Sequence, residues 1–159
     1  MKKYILFFLI FSCFYGQSQK PLLTEDSYNQ KQWVDSVYSK LNIDQKIGQL
    51  FTVWVATKYG DDEIRHISKL IKDHHLGGLI FSLGNIKDQA KAINKFQEIS
   101  KVPLLISMDA EWGIGMRLDD AFSFPYNMTL GAIKNDSLVY KVGKRIGYHA
   151  KRLGVHINF

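Results

Sequence analysis

The densest chemistry in the chain falls within nine residues, which hold Asp109, Glu111, Trp112 and Arg117 with Gly113 and Gly115 between them. Asp119 and Asp120 follow at once. Carboxylates, an indole and a guanidinium at this spacing suit a polyhydroxylated ring. Carboxylates accept hydrogen bonds from hydroxyl pairs, and arginine presents a planar fork of donors. Tryptophan offers an apolar face to the C–H surface of such a ring. The glycines permit a tight path with exposed backbone between these groups. A structural account fits the same spacing, with Asp109 and Arg117 as an ion pair pinning a long loop and Trp112 as a core plug. Residue types alone leave both accounts open.

The elements that must position this set follow from the apolar pattern. Residues 27–41 place Trp33, Val37, Tyr38 and Leu41 on one helical face. A short helical turn over 45–49 takes Asp44 as its cap. Residues 50–56, LFTVWVA, read as a strand. Asp61 then caps a helix over 62–75 whose buried stripe is Ile64, Ile67, Leu70 and Ile71. Gly77 and Gly78 end it and open a second strand at 79–82. Asn85 and Asp88 resemble a capping box for a helix over 86–100. Pro103 starts a third strand, LLISM, and a long loop follows. Asp136 caps a helix over 137–153, Gly154 stops it, and VHINF begins a fourth strand.

Near-continuous apolar strands alternating with helices predict an α/β fold with a parallel sheet buried on both faces. An open doubly wound sheet and the opening half of a (β/α)8 TIM barrel both fit. The sequence reaches Phe159 within a strand, whereas a barrel takes about 250 residues. The expectation is therefore the first half of a barrel, ending at about the fourth strand. Either way the third strand delivers Asp109 and Glu111 at its C-terminal end, where such sheets place their sites. Asn158 lies near the C-terminal end of the fourth.

With 46% hydrophobic and 23% charged residues, the 159-residue chain is globular in composition. The net charge of +6 comes from basic residues scattered among acids, without aromatic interleaving, so a nucleic-acid partner is not expected. Lys2 and Lys3 precede an apolar run, YILFFLIFSCFY, of signal-peptide length. Small residues Gly16 and Ser18 place cleavage after Ser18, giving a signal peptide over 1–18, a linker and helix over 19–42, and the barrel part over 43–159. Lipidation at Cys13 is the rival reading, which Phe11, Phe14 and Tyr15 fit badly. The product is expected to be exported, periplasmic or extracellular, touching membrane only through the leader or a lipidated Cys13. Cys13 is the only cysteine, so no disulfide or cysteine-based metal site is expected.

His66, His74 and His75 offer no i,i+4 ligand pair, and His149 and His156 fall on the last helix and strand, His156 read as a packed core residue. Neither G-x-G-x-x-G nor G-K-[ST] occurs, so no nucleotide site is implied. No metal and no cofactor are expected.

Five segments add a resemblance: KIGQLF (46–51), LGGLIFSLGN (76–85), PLLISMDAEWGIGMRL (103–118), FSFPYNMTLGA (122–132) and RLGVHINF (152–159). In this order they resemble the N-terminal barrel of glycoside hydrolase family 3, most closely its β-N-acetylhexosaminidase branch. The resemblance implies that Asp109 holds hydroxyls of the non-reducing terminal sugar, that Arg117 helps clamp the same ring, and that Glu111 supports the loop. Trp112 is packing or platform. The sequence departs from the branch at Trp112 and Gly113, where many hexosaminidases have a Gly-Gly pair. Family members work through a covalent glycosyl-enzyme intermediate, so the resemblance places the aspartate nucleophile and the histidine acid/base beyond Phe159 and leaves no catalytic residue here. It implies hydrolysis of terminal β-linked N-acetylglucosamine from peptidoglycan- or chitin-derived fragments. The alternatives are a β-glucosidase or β-xylosidase of the same family, or a non-catalytic carbohydrate-binding half-barrel.

Overall fold

The structure, a computed structural model, describes residues 26–159; the expected leader, its cleavage site and Cys13 lie outside them. The described residues divide into two units between Ser39 and Lys40. The described part of the first is helix α1, Ser27–Tyr38, none of whose residues is buried. It ends before Leu41, which is buried in the second unit.

The second unit opens with α2, Ile43–Gly48. Asn42, not Asp44, caps it: the Asn42 side chain accepts from the Gln45 N–H at 2.9 Å, and the Gln45 side chain accepts from the Asn42 N–H at 3.1 Å. Asp44 sits in the first turn, where a negative charge also favours the helix end. The same correction recurs twice. Helix α3, Gly60–His74, follows a 3-10 turn at Thr57–Tyr59 without a side-chain cap, and Asp61 lies in its first turn. Asn135 caps α6, Asp136–Leu153, by accepting from the Ser137 N–H at 3.0 Å. Acids near a helix start serve two physical roles, and their type does not say which. At α4, Ile86–Ile99, Asn85 does cap, accepting from the Asp88 N–H at 2.9 Å. Gly154 ends α6 in the left-handed region at φ 81°, as its type predicts. The expected long loop contains a short helix that the pattern did not reveal, α5 at Asn127–Gly131.

Four strands, β1 Thr52–Val55, β2 Gly78–Phe81, β3 Leu105–Met108 and β4 Ile157–Asn158, pair in parallel in the order β1-β2-β3-β4. That order decides the architecture. A doubly wound sheet reverses its strand order, whereas a barrel adds each strand beside the last. The helices agree, since α3 packs on α4 and α4 on α6, side by side over the sheet. The fold is α/β with the sequential parallel sheet of the opening half of a (β/α)8 barrel.

Alternation sorts the strand side chains. Val55, Leu79, Phe81, Ile106 and Met108 face the helices and join Ile67, Ile71, Ala92, Ile93, Phe96, Ala150 and Leu153 in one buried core. The other face aligns Trp54, Ile80, Ser107 and Ile157 in one register row. Burial on both faces, expected from the apolar runs, fails here, with Trp54 46% and Leu105 47% exposed. In a closed barrel this face is the interior, filled by side chains from all the strands.

Candidate functional site

Asp109 follows β3 directly. Two residues on from Ser107, it shares the interior face, while Ala110 turns into the core at 2% exposed. The loop that follows is anchored by apolar residues at fixed points: Ile114, which opens the 3-10 turn Ile114–Met116, and Leu118, two residues past it, are both buried. Gly113 enters that turn at φ 95°, and a Cβ there would lie 2.8 Å from the Phe124 ring. Only glycine meets both demands.

This path carries Arg117 back over the strand end. Its Nε–H donates to the Asp109 carbonyl at 2.8 Å, and its terminal nitrogen ion-pairs with the Asp109 carboxylate. The side chains stay 26% and 37% exposed, respectively, so the pair is open to a ligand, not sealed in the core. The second carboxylate oxygen and the other guanidinium N–H groups keep capacity for hydroxyls. The ion pair foreseen as loop-pinning is present, and its partial exposure leaves room for the ligand-holding reading as well.

The other members of the set separate. Glu111 is exposed. Trp112 is half-buried and meets Tyr126 edge to face, ring centroids 4.8 Å apart, while its carbonyl accepts from the Phe124 N–H at 3.2 Å. These contacts tie the start of the loop to its return. Asp120 caps a helix: its carboxylate accepts from the Ile86 N–H of α4 at 2.8 Å, and the Asp119 N–H donates to the Gly84 carbonyl at 3.0 Å. Asn158 contributes a contact that its sequence position did not reveal. Its side-chain amide accepts from the Ala110 N–H at 2.9 Å and donates to the Ala110 carbonyl at 3.1 Å.

The histidines lie elsewhere. His66 and His74 are exposed on α3, and His75 turns left-handed at its end with Nε2 3.2 Å from Gln45 Nε2. His156, expected in the core, is exposed, and its Nδ1 accepts from the Ile106 N–H at 2.9 Å; the short β4 leaves its side chain at the sheet edge. Among the described residues no group of three or more His, Cys, Asp or Glu is arranged to hold a metal ion. A cavity of about 550 Å³ opens at the opposite end of the strands, among Ile47, Phe51, Val53, Leu70 and Leu76. Its walls are mainly apolar, without the guanidinium–carboxylate pairing found above β3.

Residues 42–159 match the model of the glycosyl hydrolase family 3 N-terminal domain. The chain belongs to glycosyl hydrolase family 3. A Cellulomonas fimi beta-N-acetylglucosaminidase/beta-glucosidase is 30% identical over 127 residues, which cover 80% of this chain and 22% of that protein. The family 3 chain thus spans about a fifth of that relative's length. A solved fungal multi-domain family 3 beta-N-acetylglucosaminidase, which has a GCN5-related glucosamine N-acetyltransferase region, aligns with a TM-score of 0.61 at 30% identity over 74% of this chain and 15% of that one. The beta-glucoside phosphorylase BglX bound to 2FGlc aligns with a TM-score of 0.74 over 86% of this chain and 24% of its own. At 23% identity, that likeness concerns the fold alone.

Proposed function

We propose that this family 3 chain supplies the substrate-holding half of a retaining exo-β-glycosidase that removes terminal β-linked N-acetylglucosamine. The observation that carries the proposal is the Asp109–Arg117 pair, held half-open above β3 by two independent bonds. In this reading Asp109 accepts hydrogen bonds from hydroxyls of the terminal sugar. Arg117 holds the carboxylate in place and adds donors of its own. Glu111 and Trp112 shape the rim. In this reading Asp109 holds the sugar and is not the nucleophile, a role that the family resemblance gives to a different aspartate. Peptidoglycan- or chitin-derived fragments are the proposed substrates, as an exported product with the leader expected over residues 1–18 would meet.

A second reading, β-glucosidase activity, draws on the double name of the Cellulomonas fimi relative. The full-length gene product, assayed on chromogenic N-acetylglucosaminide, glucoside and xyloside, separates the two. Faster turnover of the first is expected, and a clear preference for the glucoside would replace the first reading by the second. Lack of turnover on all three would favour a carbohydrate-binding module. On the preferred substrate Asp109→Ala is expected to lower kcat/KM by about 100-fold or more, since an unpaired hydroxyl in a desolvated site costs about 1–3 kcal/mol and the Arg117 partner is lost too. Near-normal activity would remove Asp109 from the site.

A further inference from the structure

One peptide group beside Asp109 is held from both edges. The Asp109–Ala110 peptide presents the Asp109 carbonyl on one side and the Ala110 N–H on the other. Arg117 Nε–H donates to that carbonyl at 2.8 Å, and Asn158 Oδ1 accepts from that N–H at 2.9 Å. Asn158 Nδ2 also donates to the Ala110 carbonyl at 3.1 Å, which pins the next peptide as well. The β3–β4 ladder brings the two together, since the Phe159 N–H donates to the Met108 carbonyl at 3.0 Å. A primary amide presents a donor and an acceptor from one planar group, whereas a carboxylate or a hydrocarbon at this position could not satisfy both Ala110 atoms.

We propose that Asn158 is a positioning residue for Asp109: it fixes the backbone from which the carboxylate projects and so sets where that carboxylate meets the sugar. The proposal rests on the reading of Asp109 as a sugar-holding group. The bonds that the Asn158 amide makes go to both polar atoms of Ala110, so the proposed action runs through the strand end. With both flanking peptides fixed, the Asp109 side chain keeps little freedom beyond its rotamer, which the Arg117 ion pair selects. A misplacement of about 1 Å at such a group is enough to cost on the order of 100-fold in rate.

The test is a double-mutant cycle on the full-length gene product, measuring kcat/KM on its preferred chromogenic glycoside with thermal unfolding of each variant alongside. Asn158→Ala is expected to lower kcat/KM about 10- to 100-fold with Asp109 present, and by less than about twofold in the Asp109→Ala background. Should Asn158→Ala fail to fold, Asn158→Asp takes its place. It keeps nearly the same volume and the acceptor for the Ala110 N–H, but sets an oxygen against the Ala110 carbonyl, and the same coupling is expected. An equal fold-loss in both backgrounds, or a loss under about twofold with Asp109 present, would overturn the positioning role and leave the site reading intact. Near-normal activity of Asp109→Ala alone would overturn the site reading, and the positioning role with it.

Discussion

Arg117 makes two kinds of contact with a single residue, a hydrogen bond to the Asp109 backbone and an ion pair to its carboxylate. A lysine could keep the charge but has no second donor fixed in the same plane. Arg117→Lys is therefore expected to lower kcat/KM about tenfold or more, and Arg117→Ala further still, when the full-length product is assayed on its preferred glycoside. Full rescue by lysine would mean that charge alone matters there. The contrast with Trp112 is instructive. Its edge-to-face packing on Tyr126 gives it a structural partner, whereas the Arg117 side chain bonds, among the described residues, only to Asp109. Asp120 was likewise one more acid of the cluster until the Ile86 N–H showed where its carboxylate goes.

At the scale of elements, the loop over 109–121 is built as a bridge between strand ends. It leaves β3, dips into the core at Ile114 and Leu118, and meets the β2–α4 connection, where Leu118 pairs with Gly84 and Asp120 reaches the start of α4. Its shape therefore depends on Gly113, whose φ of 95° strains any other residue. Gly113→Ala is expected to cost about 1–3 kcal/mol of stability, seen as a lower thermal midpoint of the full-length product together with a raised KM. An unchanged midpoint and KM would show that the turn has room to relax. Asn158 acts at the same scale, since a residue of β4 fixes the backbone at the end of β3 and makes the geometry of Asp109 depend on the pairing of two strands.

For the whole molecule, the sequential sheet exposes Trp54 and Leu105 on the face opposite the helices, the face from which Asp109 projects. A site above such a face receives groups from several strand ends. Within the described residues the carboxylate best placed there is already paired to Arg117. Residues 19–159, expressed alone, are accordingly expected to show no turnover of the chromogenic N-acetylglucosaminide at any concentration tested. Turnover by that piece would make a group within it catalytic and would undo the assignment of Asp109 to binding.

The sequence alone determined the order of the strands and long helices along the chain, the α/β class and the presence of Asp109 and Arg117 at one strand end, because apolar periodicity and residue chemistry are local properties; the five-residue α5 was too short to show. It determined cap identity poorly, since Asp44, Asp61 and Asp136 carry the same local signal whether they cap a helix or sit in its first turn. Strand order, which separated a barrel-like sheet from a doubly wound one, was decided by tertiary pairing. So was the division of the acidic loop into an ion pair for Asp109, a helix cap for Asp120 and an exposed rim at Glu111. The bond from Asn158 to Ala110 spans 48 residues of chain, and its energy exists only once β3 and β4 lie side by side. No local pattern could carry that contact, because it forms only between residues of two strands far apart in sequence.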